Sequence, residues 1–445
     1  MASLTNVVVA GGDATAAVAR VEMLQSAGYA GLAVSSGLDV PNYVGERQPD
    51  LVLVEGGFDD VDRFEVIRRL KQDPSTRQIP VIMLNVPPGP ETLEEGFEAG
   101  LDDMLDAGIE DDVLLARLQP LVRLSTMHSE FRRRIDTASK AGVNIDVEGV
   151  YDIDAGNCRI LFVGPETTRV SALAEVLSAS GFNPVLETDH FRAGTRLAEE
   201  TFDAAIIAVD DEEPLDKAMF LCAHIRNNTR LFNLPVLVAA RKNAKSLGYT
   251  PYLQGASLAV PLAADDGKLT AGLKFLVRRQ RLRWNLHGPL TATLQARTAD
   301  SIAGLYSEGF LRSHLEHLLS FGKRRRRNLS LALFSIQSVA VLQERPDDVK
   351  SLMQQVADRI CSMVRVEDLA ARLDDFGICV VLPGAAEREA LQAMDRITGA
   401  LQTGAFEQAN GASLGSPLWL QSGAVAAVQG EAVDELIVRA RDTLA

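Results

Sequence analysis

Short unbroken apolar runs, Asn6-Val-Val-Val-Ala10, Asp50-Leu-Val-Leu-Val54 and Pro80-Val-Ile-Met-Leu84, alternate with stretches such as Thr15 to Ala27 whose apolar positions have helical spacing. Runs of that length predict buried strands, and the stretches between them predict helices. The pattern then returns. Ala10-Gly-Gly-Asp and Val163-Gly-Pro-Glu, Gly28 and Gly181, and Asp50 and Asp203 each stand 153 residues apart, while Pro80 and Pro235 differ by 155. A duplicated, doubly wound α/β domain with a parallel sheet follows.

From about residue 300 the pattern changes. Leu352, Val356, Ile360, Met363 and Val364 have helical spacing, and Leu331-Ala-Leu-Phe-Ser335 reads as a buried strand. Ala370 to Leu373 and Ile378 to Leu382 predict two strands around a tight Asp374-Asp375 turn. Glu435 to Leu444 has the spacing of a terminal amphipathic helix. The expected organisation is a first domain at 1–125, a helical extension and linker at 126–155, a second domain at 156–284, a connector at 285–299 and an α+β domain at 300–445.

Composition adds exclusions. At 445 residues, 47% hydrophobic and 24% charged, the chain is globular and has room for about three domains. It offers no apolar run of the ~20 residues that span a bilayer, and Met1 to Asn6 leads into a strand without a signal-peptide pattern, so a cytoplasmic protein without membrane insertion is expected. A net charge of −15 argues against a nucleic-acid surface. Cys158, Cys222, Cys361 and Cys379 lack metal spacing and sit in apolar runs, which predicts neither a disulfide nor zinc. His314 and His317, three apart beside Glu316, read as a surface pair rather than as metal ligands. The basic run on Lys274, Arg278, Arg279, Arg281 and Arg283 reads as a solvated helix face, with contact to a ligand as the alternative.

Pro49-Asp-Leu-Val-Leu-Val-Glu55 and Asp62-Arg-Phe-Glu-Val-Ile-Arg-Arg-Leu-Lys71 resemble the receiver domain of response regulators. The resemblance implies an acidic pair for Mg²⁺, a phosphoacceptor aspartate, a Thr or Ser and a lysine. Their positions hold Gly11-Gly12, Glu55, Asn85 and Ala107 in the first copy, and Gly164-Pro165, Ala208, Ala240 and Leu262 in the second. Glu55 is therefore a degenerate phosphoacceptor position. It is read as a fossil or as a standing imitation of the phosphorylated aspartate, the latter opposed by the missing lysine. The acids at Asp13, Asp59, Asp60 and Asp62 read as solvated loops, and Asp210 and Asp211 fall beyond the strand end. The second copy reads as a packing or dimerisation module.

The third domain resembles the GGDEF domain of diguanylate cyclases. Arg365-Val-Glu-Asp368 matches the Arg-x-x-Asp inhibitory site at the family distance from the signature turn, whose five positions fall on Asp374, Asp375, Phe376, Gly377 and Ile378. The family's first metal aspartate falls on Ser335, its opening motif is thinned to Asp300-Ser-Ile-Ala-Gly-Leu-Tyr-Ser-Glu-Gly309, and its Gly-His-x-x-Gly-Asp is absent from 345–350. Phe376 and Gly377 offer no oxygen ligand for a divalent metal. The expected fold class is thus two tandem flavodoxin-like receiver domains followed by a degenerate GGDEF domain, in the order of the PleD-type response regulators. The resemblance implies that Arg365, Asp368 and Arg396 bind cyclic di-GMP, with no cofactor and no catalysis. An arginine fork matches the O6 and N7 edge of guanine or a phosphate, and a carboxylate accepts from N1 and N2. Resemblance to the degenerate effectors of this group further implies a receiver-mediated homodimer, recruitment to a cell pole, and delivery of an adaptor and substrate to the ClpXP protease in cell-cycle control. A cyclase active only with a partner subunit and a structural scaffold without ligand are the two competing readings.

Overall fold

The computed structural model describes residues 5–86, 90–153, 156–209, 215–228, 231–240, 250–264, 266–325, 327–337, 346–413 and 418–444. Asp210, Asp211 and residue 345 lie outside these, as do the side chains of 321–326, which include most of the basic run Lys323-Arg-Arg-Arg-Arg327 that precedes the first strand of the third domain and reads in sequence as a solvated loop. The chain forms two compact units, one from Asn6–Ser125 with Gly149–Asn285 and the other chiefly from Thr126–Glu148 with Leu286–Ala445.

The first unit holds both receiver folds. Elements β1 (Asn6–Ala10), α1 (Ala14–Ser26), β2 (Ala30–Val34), α2 (Val40–Arg47), β3 (Leu51–Glu55), α3 (Arg63–Gln72), β4 (Val81–Val86), α4 (Pro90–Ala99), β5 (Asp103–Asp106) and the start of α5 (Asp111–Lys140) build one parallel sheet, ordered β2-β1-β3-β4-β5. The repeat follows with β6 (Cys158–Val163), α6 (Thr168–Ala179), β7 (Phe182–Glu187), α7 (His190–Glu199), β8 (Ala204–Val209), α8 (Leu215–Asn227), β9 (Val236–Ala240), α9 (Thr250–Leu253), β10 (Leu258–Pro261) and α10 (Asp266–Ala292), ordered β10-β9-β8-β6-β7. The central strands β3 and β8 are buried at every residue, as expected of parallel strands covered by helices on both faces.

The acids after the strands do more than solvate loops. Asp13 and Asp62 cap α1 and α3 by accepting from two backbone N–H groups each, and Asp60 accepts from Ser36, Gly37 and Leu38. The basic face of α10 is likewise a joint rather than a solvated surface. Phe275 enters the core of the first receiver, and the Arg278 guanidinium lies 3.6 Å over the Phe97 ring while donating to the Phe97 and Leu101 carbonyls. Arg281 pairs with Asp203 at 2.8 Å, and Arg283 donates to the Pro120 carbonyl. Arginine suits this role because its aliphatic stem and flat face bury well while its fork finds carbonyls. Pro289, read as part of a connector, lies inside α10.

The second unit contains α11 (Glu308–Arg325), β11 (Leu329–Ile336), α12 (Pro346–Met363), β12 (Leu369–Arg372), β13 (Gly377–Pro383), α13 (Glu387–Gln402), β14 (Leu420–Ala426) and α14 (Val433–Arg441), around an antiparallel sheet ordered β12-β13-β11-β14. Strand alternation divides its core. Ala332, Phe334, Ile336, Ile378, Val380 and Leu382 face α12 and α13; Leu331, Leu333, Cys379 and Val381 face α11 and α14. The second face also takes in Ala138 of α5 and Val143 just beyond it. Residues 126–148, read in sequence as an extension and linker, are thus part of this core.

Among the described residues no helix is long and apolar enough to cross a membrane, and no three metal-ligating side chains converge. His314 is not on the surface: it is fully buried, with Nε2 2.8 Å from Glu130 and Nδ1 3.1 Å from Thr137.

Candidate functional site

The hairpin of β12 and β13 closes with Leu373 donating to the Gly377 carbonyl at 2.9 Å. Ladder pairing sets Ser335 opposite Gly377, so the two positions that resemblance assigns to metal ligation are cross-strand neighbours without a carboxylate between them. The carboxylates nearby are engaged elsewhere. Arg441 pairs with Asp374 at 2.8 Å, and Arg372 reaches Asp300, Asp375 and the Asp374 carbonyl. A Cβ on Gly377 would lie 2.7 Å from Asp374 Oδ1, so an acid introduced there must first displace that side chain.

One corner away, α12 ends at Met363 and the chain turns before β12. Asp368 Oδ2 accepts from the Arg365 N–H at 2.8 Å, and the Asp368 N–H donates back to the Arg365 carbonyl at 3.1 Å. The carboxylate thereby closes the turn, as Asp does where it satisfies local backbone donors. The Arg365 side chain is exposed and makes no hydrogen bond or ion pair among the described residues. Arg396, on α13, donates to the Met363 carbonyl at 3.2 Å. The structure therefore brings Arg365, Asp368 and Arg396 to a single corner of the domain.

Asp368 is half-buried, and burial together with the adjacent Glu367 carboxylate pushes its carboxyl up to about 7, against the opposing pull of Arg365 and Arg134. Arg134, on α5, was missed in sequence. It is 3% exposed and donates to the carbonyls of Val366, Glu367 and Asp368 at 3.0, 2.5 and 3.2 Å. Phe131-Arg-Arg-Arg134 gave no sign that one of its arginines faces inward.

In the first receiver Glu55 does have a counter-charge, contrary to expectation. Arg20 of α1 reaches its two oxygens at 3.1 and 3.4 Å, and Asn85 donates to it at 3.0 Å. The acidic pair is excluded by shape: a Cβ on Gly11 would lie 2.5 Å from the Glu55 carbonyl oxygen, and one on Gly12 2.8 Å from that of Gly57. In the second copy a Cβ on Gly164 would meet that of Ala208 at 2.9 Å.

Residues 297–445 match the family model described as diguanylate cyclase, GGDEF domain. The response regulator PleD of Caulobacter vibrioides (strain NA1000 / CB15N) is 26% identical over 383 residues, covering 85% of this chain and 83% of that protein. The DNA-binding dual master transcriptional regulator RpaA of Synechocystis sp. is 33% identical over 100 residues, 22% of this chain and 42% of its own length. Among solved structures, the GGDEF domain of DgcB from Caulobacter crescentus in complex with c-di-GMP covers 33% of this chain and 85% of that one, at 15% identity and a TM-score of 0.31. In architecture the chain is PleD-like, with parallel α/β domains of receiver fold followed by a GGDEF domain.

Proposed function

We propose that the third domain binds cyclic di-GMP through Arg365, Asp368 and Arg396 and does not synthesise it. The observation that carries this reading is the exposed Arg365 fork, without a hydrogen bond or ion pair among the described residues, beside a half-buried carboxylate, with a second arginine anchored to the same turn. Arg365 supplies donors for guanine O6 and N7 or a phosphate, Asp368 accepts from N1 and N2, and Arg396 adds a further cation. The protein is then an effector that, as a dimer through its receiver domains, brings partner proteins to regulated proteolysis at a cell pole. That last step rests on resemblance to the degenerate effectors alone.

Calorimetric titration of the full chain with cyclic di-GMP tests the binding half. The other half predicts no turnover of GTP with Mg²⁺, because Ser335 and Gly377 provide no carboxylate for two-metal phosphoryl transfer. Product formed by the pure protein would establish the cyclase reading instead.

Affinity is expected to rise with pH. Guanine N–H donors require ionised Asp368, so binding releases a proton and each unit below about 7 weakens it by about tenfold. The same shift acts on the unliganded fold with a fixed sign. A carboxyl raised from 3.8 to about 7 stabilises the folded state below its unfolded value and loses that contribution as pH rises through 7. Titrations at pH 6 and 8 with equal affinity would remove Asp368 from the site.

A further inference from the structure

Loop carbonyls have no ladder partner and need a donor from elsewhere when they are covered. At the Arg365–Asp368 turn a single side chain serves three of them. Arg134 uses Nη1 for Val366 and Nη2 for Glu367 and Asp368, while its Nε is occupied by Glu130 Oε1 at 2.8 Å. The guanidinium is thus fixed from both sides. Glu130 is fully buried and held in turn by His314 Nε2 at 2.8 Å. Among the described residues its Oε2 is buried without a hydrogen-bond partner, a cost of the order of 1 to 3 kcal/mol. A further oddity is the distance along the chain: Arg134 and Val366 are 232 residues apart.

We infer that Arg134 is a positioning residue for the ligand turn, fixing the backbone of 366–368 so that the Asp368 carboxylate and the Arg365 side chain keep one relative placement. The inference rests on the proposed cyclic di-GMP site, but its first link is purely structural. Two of the three peptide units that Arg134 holds, those of the Val366 and Glu367 carbonyls, lie inside the turn closed by Arg365 N–H to Asp368 Oδ2 and Asp368 N–H to Arg365 O, and the third follows it directly. Release of their carbonyls frees both ends of that turn. The second link is electrostatic. The charged groups acting on Asp368 are Glu367, Arg365 and Arg134, and the two arginines favour its ionised form. Arg134 therefore favours the ionised Asp368 that accepts from N–H donors, without touching a ligand.

The test uses the full chain with Glu130→Gln/Arg134→Gln, which removes both buried charges together, and Arg134→Lys as the conservative control. Cyclic di-GMP affinity of the double variant is expected to fall by about ten- to a hundredfold, by analogy with the loss of groups that orient metal ligands. The pH at which binding is half-maximal should also move upward, a change that general loosening would not produce. Arg134→Lys should retain most of the pH profile. Unchanged affinity and profile in the folded double variant would overturn the inference. If the wild-type chain binds no cyclic di-GMP, the functional reading has failed, and hydrogen exchange at the Arg365 and Asp368 amides still decides this one. Faster exchange in the variants supports it, and unchanged exchange refutes it. Should the double variant not fold, the exchange comparison is made with Arg134→Lys.

Discussion

Arg365→Gly is expected to weaken cyclic di-GMP binding by roughly 30- to several-thousand-fold, the equivalent of about 2 to 5 kcal/mol for truncating one charged partner of a hydrogen-bonded contact. The melting temperature of the unliganded chain should scarcely move. The Arg365 side chain is exposed and bonds nothing among the described residues, and the backbone N–H that Asp368 accepts from is retained in glycine. Surface substitutions of this kind cost a fold about 0.5 kcal/mol or less. Arg396→Ala should give a smaller loss, since it removes one cation from a turn still closed by Asp368, and Ser335→Ala should leave binding unchanged. Titration of Arg365→Gly with wild-type affinity would reduce the Arg-x-x-Asp pattern to an ordinary surface pair.

The largest expected effect on stability comes from Asp103→Ala, about 3 to 5 kcal/mol, because it leaves a buried charge uncompensated. Both oxygens of Asp103 are bonded to Arg117, and the two side chains are 2% and 5% exposed. Burial works against the charge on Arg117, yet the Asp103 carboxylate, with Tyr252 as a further partner, more than offsets it and raises its pKa. Arg279 is buried in the same neighbourhood and depends on the same carboxylate for compensation. A fold with total stability of about 5 to 15 kcal/mol would lose roughly a fifth or more of it. The exposed pair Arg68–Glu95, at 2.9 Å, provides the contrast: Glu95→Ala should cost under about 1 kcal/mol. Urea unfolding of the two variants measures the difference, and equal midpoints would show that burial at Asp103 matters less than its geometry suggests.

What could be read from sequence was whatever depends on neighbours along the chain. The unbroken apolar run at β3, the apolar runs at β11 and β13, and the receiver duplication are of this kind, and they located the strands. The Arg365–Asp368 turn was also visible, because its two residues are three apart and precede a hairpin. Partners distant in sequence were not. A helical stripe declares that one face will be buried but not against what, since hydrophobic burial has no direction. Residues 126–148 and the arginines of α10 were for that reason read as solvated or linking. Arg20 reaches Glu55 from 35 residues away, and His314 meets Glu130 across 184. Nothing local distinguishes either from a surface charge.

Because the second compact unit is assembled from Thr126–Glu148 and Leu286–Ala445, with most of a receiver threaded between them, its completion is delayed during synthesis. At about 5 to 20 residues per second, the carbonyls that Arg134 holds are translated on the order of ten to fifty seconds after Arg134 itself. During that interval the end of α5 leaves the ribosome with Glu130, Arg134 and the apolar Ala138 and Val143 lacking their later partners, and the second receiver gains all of its strands before those partners are made. The same discontinuity governs any attempt to isolate the third domain. A fragment beginning at Leu286 carries the turn from Arg365 to Asp368 but not the segment that closes one face of its core, whereas a peptide of residues 126–148 supplied in trans would restore both the packing and the clamp.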